Sequence, residues 1–148
     1  MTTLTISLEP DASPTDREAI VAGLRAYNRR QVADPGWAPL ALFLRDPDHH
    51  IQGGLLGESG WGWLHIYFLW VAEPFQRSGY GGALLVRAES EARRRGCRGI
   101  HLDSHDFQAP VFYQRRGYEI FGTLEDYPRG HRRYFLRKTL EVAPAQAD

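Results

Sequence analysis

The chain has 148 residues, 43% hydrophobic and 24% charged, and its 18 basic side chains balance its 18 acidic ones. That length suits one domain with a core that needs no disulfide or metal, and the composition is that of a soluble globular protein. Zero net charge argues against bulk nucleic-acid binding, no apolar run approaches the ~20 residues of a membrane helix, and Met1-Thr2-Thr3-Leu4 lacks a signal-peptide start, so a cytoplasmic location is expected.

Residues 3–9 alternate Leu4, Ile6 and Leu8 with Thr5, Ser7 and Glu9, which predicts a strand. Ser13-Pro14-Thr15-Asp16 is a helix start: a capping hydroxyl, a first-turn proline and an acid for the positive dipole end. Ile20, Val21, Leu24 and Tyr27 share one face of that helix, which ends near Arg29 or Arg30. Residues 31–39, with Asp34-Pro35-Gly36, read as a loop. Leu40–Leu44, Ile51–Glu58 and Trp61–Val71 form an antiparallel meander that turns at Asp46-Pro47-Asp48 and Gly60. On its long aromatic third strand, alternation places Trp61, Trp63, His65, Tyr67, Leu69 and Val71 on one face.

A helix follows from Ala83 to Arg95, with Leu84, Leu85, Ala88 and Ala92 as its apolar stripe and Gly96 as its stop. Cys97, the single cysteine, excludes an internal disulfide and reads as a packing residue. Ile100–Asp103 is a short strand, Pro110–Arg116 a short helix, and Tyr118–Thr123 and Arg133–Lys138 are the last strands. Residues 143–148 read as a flexible tail, so one domain spans 1–148 with its core at about 3–140.

The segment Gln76-Arg77-Ser78-Gly79-Tyr80-Gly81-Gly82 lies between the aromatic strand and the long helix. Strand, glycine-rich turn and helix together make an anion site, because bare backbone approaches a phosphate closely and the helix supplies unpaired N–H groups. The dinucleotide pattern G-x-G-x-x-G fails, since its third glycine falls on Leu84. The nucleotide triphosphate loop fails too, since the only lysine is Lys138. What remains is Q-x-x-G-x-G.

That loop resembles the coenzyme A pyrophosphate loop of the Gcn5-related N-acetyltransferase superfamily. The segment from Ala109 to Tyr118, APVFYQRRGY, is similar to the family motif A-x-x-x-Y-x-x-x-G-[FY]. The resemblance covers about residues 3–140 and is strongest over 69–121. It implies an α/β (α+β) fold: a mixed, mostly antiparallel sheet of six to seven strands, splayed between the fourth and fifth and flanked by helices. The second early helix of many members is replaced by a loop at residues 28–39.

The resemblance also implies acetyl-CoA as co-substrate, no metal, and direct attack by a primary amine in a ternary complex. Gln76, Arg77, Ser78, Gly79, Tyr80, Gly81 and Gly82 would hold the pyrophosphate. A backbone N–H at Leu69, Trp70 or Val71 would polarise the thioester carbonyl. Tyr113 would contact the coenzyme sulfur as its acid. Asp106 stands where members commonly carry a pantetheine-binding asparagine, and a carboxylate accepts but does not donate.

For the general base, His65 falls where some members carry a glutamate, with Glu73, His105, Asp103 or a water chain as alternatives. Trp37, Trp61, Trp63, Tyr67 and Tyr127 are candidates for an aromatic acceptor wall, with Asp34, Glu125 and Asp126 nearby, although ordinary core packing explains inward tryptophans equally. The acceptor would be a small-molecule or peptide amine, and the protein a monomer or homodimer without nucleic acid or membrane. Two alternatives stay open: another acyl-CoA donor, such as succinyl- or propionyl-CoA, or a non-catalytic acetyl-CoA sensor.

Overall fold

The computed structural model describes residues 1–141; the predicted tail at 143–148 lies outside them. The chain forms two compact units that divide between Asp34 and Pro35. In the first, helix α1 runs Pro14–Gln31, one residue beyond its expected end. Ser13 caps it, its hydroxyl accepting from the Asp16 N–H at 3.1 Å. Residues 3–9 form no strand, contrary to the expectation. Alternation fixes which side chains would share a face, but a strand also needs a neighbour for its N–H and C=O groups. The Ser7 hydroxyl instead bonds locally to Glu9 at 2.9 Å.

The second unit contains strands β1 (Ala38–Arg45), β2 (Ile51–Gly60) and β3 (Trp63–Val71), then a single 3-10 turn at Glu73–Phe75. Helix α2 (Tyr80–Arg94), β4 (Gly99–His105), α3 (Pro110–Gln114), β5 (Glu119–Glu125) and β6 (Arg132–Thr139) follow. Six strands form one sheet in the order β1-β2-β3-β4-β6-β5. Every pairing is antiparallel except β3–β4, whose parallel crossover is α2. No helix of the described residues is long and apolar enough to cross a membrane.

The apolar stripe of α2 sits where its spacing predicts, with Leu84, Leu85, Ala88 and Ala92 buried. Leu85, Ala88 and Ala92 join Leu40, Leu55, Leu64, Ile66, Ile100, Leu102 and Leu136 in one core on a single face of the sheet. Each fully buried leucine there contributes about 1.5–3 kcal/mol. Glu89 is buried on the same helix, where it accepts from the Tyr118 hydroxyl at 3.1 Å and pairs with Lys138 at 3.2 Å.

Two details of the meander differ from the sequence reading. Trp61 is not in the third strand but in a two-residue turn with Gly62, both at positive φ (49° and 78°). A tryptophan tolerates that backbone because its N–H donates to Pro35 at 2.9 Å and its ring meets Trp37 edge-on at 5.6 Å. The register between β2 and β3 also slips, from Leu56↔Phe68 to Gly57↔Ile66, leaving Tyr67 as an extra residue. This bulge switches the faces. Leu69, opposite buried Leu55, lies on the core side with Leu64 and Ile66, whereas His65, opposite Glu58, lies on the other side. The expected single face from Trp61 to Val71 is therefore split in two.

Candidate active site

The parallel ladder between β3 and β4 has only three rungs, Trp63↔Gly99, Leu64↔Ile100 and His65↔His101. Beyond the last rung the two strands part. A cavity of about 1030 Å³ fills the opening, lined by Ile66 and Leu69–Val71 on one side and Leu102, Asp103 and Ser104 on the other. Among the described residues, the β4-facing edge of β3 after His65 has no ladder partner. Gln76 restrains the end of that strand, its Nε2 donating to the Val71 carbonyl at 2.8 Å.

The cavity runs on to the glycine turn, where Gln76, Arg77, Gly79, Gly81 and Gly82 line it. Gly79 is the N-cap of α2 with φ 87°, and no side chain caps the helix. The first α-helical bond, Ala83 N–H to Gly79 C=O at 3.0 Å, leaves the N–H groups of Tyr80, Gly81 and Gly82 ahead of it. An α-helix end of this kind favours an anion through its unpaired donors and its dipole. A Cβ on Gly81 would lie 3.4 Å from the Phe112 ring.

Positive charge comes from a place that sequence reasoning missed. Arg115 and Arg116 line the cavity with Arg77. The Arg116 guanidinium lies 3.9 Å from the Phe112 ring centroid and donates to the Phe112 carbonyl at 2.9 Å. It also abuts Gly82, where a Cβ would come within 2.8 Å of it. The expected helix to Arg116 ends at Gln114, and Arg116 lies in the turn beyond it, folded back onto Phe112.

Tyr113 is buried and lines the same cavity. Burial, reinforced by the Asp103 carboxylate, pushes its pKa up to about 12. Asp103 is held by the Arg133 guanidinium at 2.8 Å. Glu73, Ser78 and Tyr80 are exposed and do not line the cavity. Asp106 also lies off the lining, because its carboxylate accepts from the Arg132 N–H at 3.1 Å and pairs with His131 at 2.9 Å. Desolvation raises its pKa, but those hydrogen bonds outweigh it and hold the group low. Gln108 takes a place on the cavity wall instead, its carbonyl oxygen accepting from the His105 N–H at 2.7 Å.

A second cavity, of about 530 Å³, is lined by Trp37, Glu58, Trp61, Trp63, His65, Tyr67, His101, Phe121 and Arg137. Tyr67, the bulge residue, lines both cavities. Four of the five expected aromatic residues therefore gather here. Tyr127 does not; it stacks on His105 at 5.7 Å and carries the Arg133 guanidinium at 4.8 Å. His105 is drawn to that cluster, away from either cavity. The imidazoles of His65 and His101 stack at 4.2 Å and 19°. Burial lowers the pKa of both, and His65 lowers that of His101 further.

A mostly antiparallel, splayed sheet with a helix N-terminus free of side-chain caps at one end of the splay and a buried tyrosine at its wall defines an acyltransferase-type fold. The acetyltransferase (GNAT) family matches residues 10–118. The chain is 44% identical over 91 residues to a blasticidin-S acetyltransferase of Streptomyces morookaense, covering 61% of this chain and 67% of that protein. It is 34% identical over 121 residues to an acetyltransferase of Agrobacterium fabrum, covering 82% and 88% of the two chains. The crystal structure of an acetyltransferase from Bacillus cereus superposes with a TM-score of 0.83 at 35% identity, over 90% of this chain and 98% of that one. The chain belongs to the GNAT acetyltransferase family, and it is an acetyltransferase of that type.

Proposed function

We propose that this enzyme moves the acetyl group of acetyl-CoA to a primary amine by direct attack, with the donor in the larger cavity and the acceptor in the smaller. The observation that carries the reading is the early end of the β3–β4 ladder at His65 and His101, which opens a path from the α2 N-terminus past Tyr113 to Tyr67. The donor's thioester supplies the activated acetyl group. The chain's residues bind, orient and handle protons around it.

The residues present fit that donor. The N–H groups of Gly81 and Gly82 at the start of α2 and the charges of Arg77 and Arg116 would hold its pyrophosphate. The free edge of β3 at Leu69–Val71 offers a backbone N–H to the carbonyl oxygen. The Tyr113 hydroxyl would donate to the sulfur as it leaves. With a pKa near 12 it stabilises a thiolate by hydrogen bonding more readily than by giving up its proton, since a thiol titrates near ~8.5. His65 receives the amine's proton. We read both compact units as parts of one transferase domain, because the family match crosses residue 34 without a break.

The aromatic walls of the smaller cavity and the likeness to a blasticidin-S acetyltransferase make blasticidin S the first acceptor to try. The test is a thermal melt with saturating acetyl-CoA, followed by thiol release with blasticidin S and a panel of primary amines. At a hundredfold excess over Kd, binding adds ~2.7 kcal/mol, a rise of roughly 5–15 °C for this length. No rise would overturn the donor site; a rise without thiol release from any amine would leave a binding protein rather than an enzyme.

A further inference from the structure

One row of titratable side chains crosses five strands of the sheet. Glu58 on β2 is the register partner of His65 on β3, which partners His101 on β4, which partners Arg137 on β6, which partners Glu119 on β5. Cross-strand partners project from the same face. Glu58, His65, His101 and Arg137 accordingly line the smaller cavity together, and Glu119 neutralises Arg137 at 2.8 Å. The two imidazoles are the last rung before the strands part, stacked at 4.2 Å.

We propose that His65 and His101 work as one proton-accepting unit for a protonated primary amine that Glu58 draws into the smaller cavity. This rests on the amine acetylation proposed above. The N–H bond of the ammonium breaks and its electron pair stays on nitrogen as the nucleophile. The proton forms a new N–H bond on the His65 imidazole, which later yields it to water. His101 acts through His65 and is a positioning residue.

The row assigns the division of labour. Two imidazolium rings at this spacing repel, so the pair takes up one proton well before a second. Arg137, the neighbour of His101 on β6, is already paired with Glu119, and Asp103 favours a proton on His101 as it does on His65. Glu58 on β2 favours a proton on His65 beyond what Asp103 gives both rings, so His65 takes the first one. Tyr67 on the bulge holds Glu58 through its hydroxyl at 2.8 Å, and the Trp63 ring closes on His101 edge-on at 6.1 Å. Burial keeps both rings neutral at pH 7, the state a base needs.

The experiment combines an NMR titration of the imidazoles in the donor-free protein with pH–rate profiles at saturating acetyl-CoA. The wild type should show two separated steps. In His65→Asn, His101 should titrate at higher pH than in the wild type, because the neighbour that takes the first proton is gone, and the acid limb of kcat/KM should be lost with its base. Glu58→Gln should raise KM for the amine roughly twofold to fivefold, more than it lowers kcat. His65→Gln serves if the asparagine variant melts early. A His101 titration unmoved in both His65 variants, or a wild-type acid limb in His65→Asn, would overturn the paired base. Coupled titration without thiol release from any amine would overturn the transfer reading instead.

Discussion

Tyr113 packs edge-on against Phe112 at 5.0 Å and Tyr118 at 5.8 Å, so its ring is held by contacts that phenylalanine would keep. Tyr113→Phe removes only the hydroxyl. A hydrogen bond to a charged group is worth about 1.5–3 kcal/mol, so kcat should fall roughly 10- to 150-fold while acetyl-CoA affinity changes little. A wild-type kcat would remove Tyr113 from its role at the sulfur. Tyr118, the other motif aromatic, faces the core and answers to a different test. Its hydroxyl and the Lys138 ammonium share buried Glu89. Lys138→Met would leave that carboxylate buried with a single neutral donor, at a cost of about 3 kcal/mol, the low end for a broken buried pair because Lys138 keeps some water. Urea denaturation would read this, and unchanged stability would mean that water reaches Glu89 in the folded chain.

The glycine turn works because of where α2 begins. Gly79 takes a left-handed φ and caps without a side chain, and Gly81 sits 3.4 Å, by its would-be Cβ, from Phe112. Gly81→Glu adds bulk against that ring and a negative charge beside the unpaired N–H groups. The melt should lose its rise with acetyl-CoA while the donor-free melting temperature moves far less; a retained rise would place the anion elsewhere. Helix α2 and its turn were legible because both signals are local: glycines at a boundary and a 3.6-residue stripe. The splay was expected only through family likeness, since nothing along β3 or β4 states how many rungs join them. The bulge at Tyr67 was illegible for a related reason. It exists only relative to β2, and a run such as His65-Ile66-Tyr67-Phe68 reads as plain alternation until its partner is known. The same limit hid His101, Arg116 and Glu58, each of which gains its meaning from a neighbour distant in sequence.

At the scale of the molecule, the sheet divides its duties by face. One face meets α2 through aliphatic side chains, and the other carries the row from Glu58 to Glu119. Two half-buried imidazoles on that second face couple folding to pH. Their pKa values in the folded chain lie below the ~6.5 of an unfolded histidine, so below neutrality the unfolded state binds more protons and stability falls. Their stabilising contribution is present above pH ~6.5 and is lost as pH drops through the folded values. The carboxylates respond much later: Glu91, held at about 2 by the Arg94 and Arg95 guanidinium groups, stays ionised far into the acid range. The melting temperature should therefore begin to fall between pH ~7 and ~5, ahead of carboxylate titration. A variant carrying both His65→Asn and His101→Asn should hold level over that window. A wild-type curve that is flat from pH ~7 to ~5 would mean that both rings take up protons as freely in the folded chain as in the unfolded one, and that the stacked pair is more open to water than its burial implies.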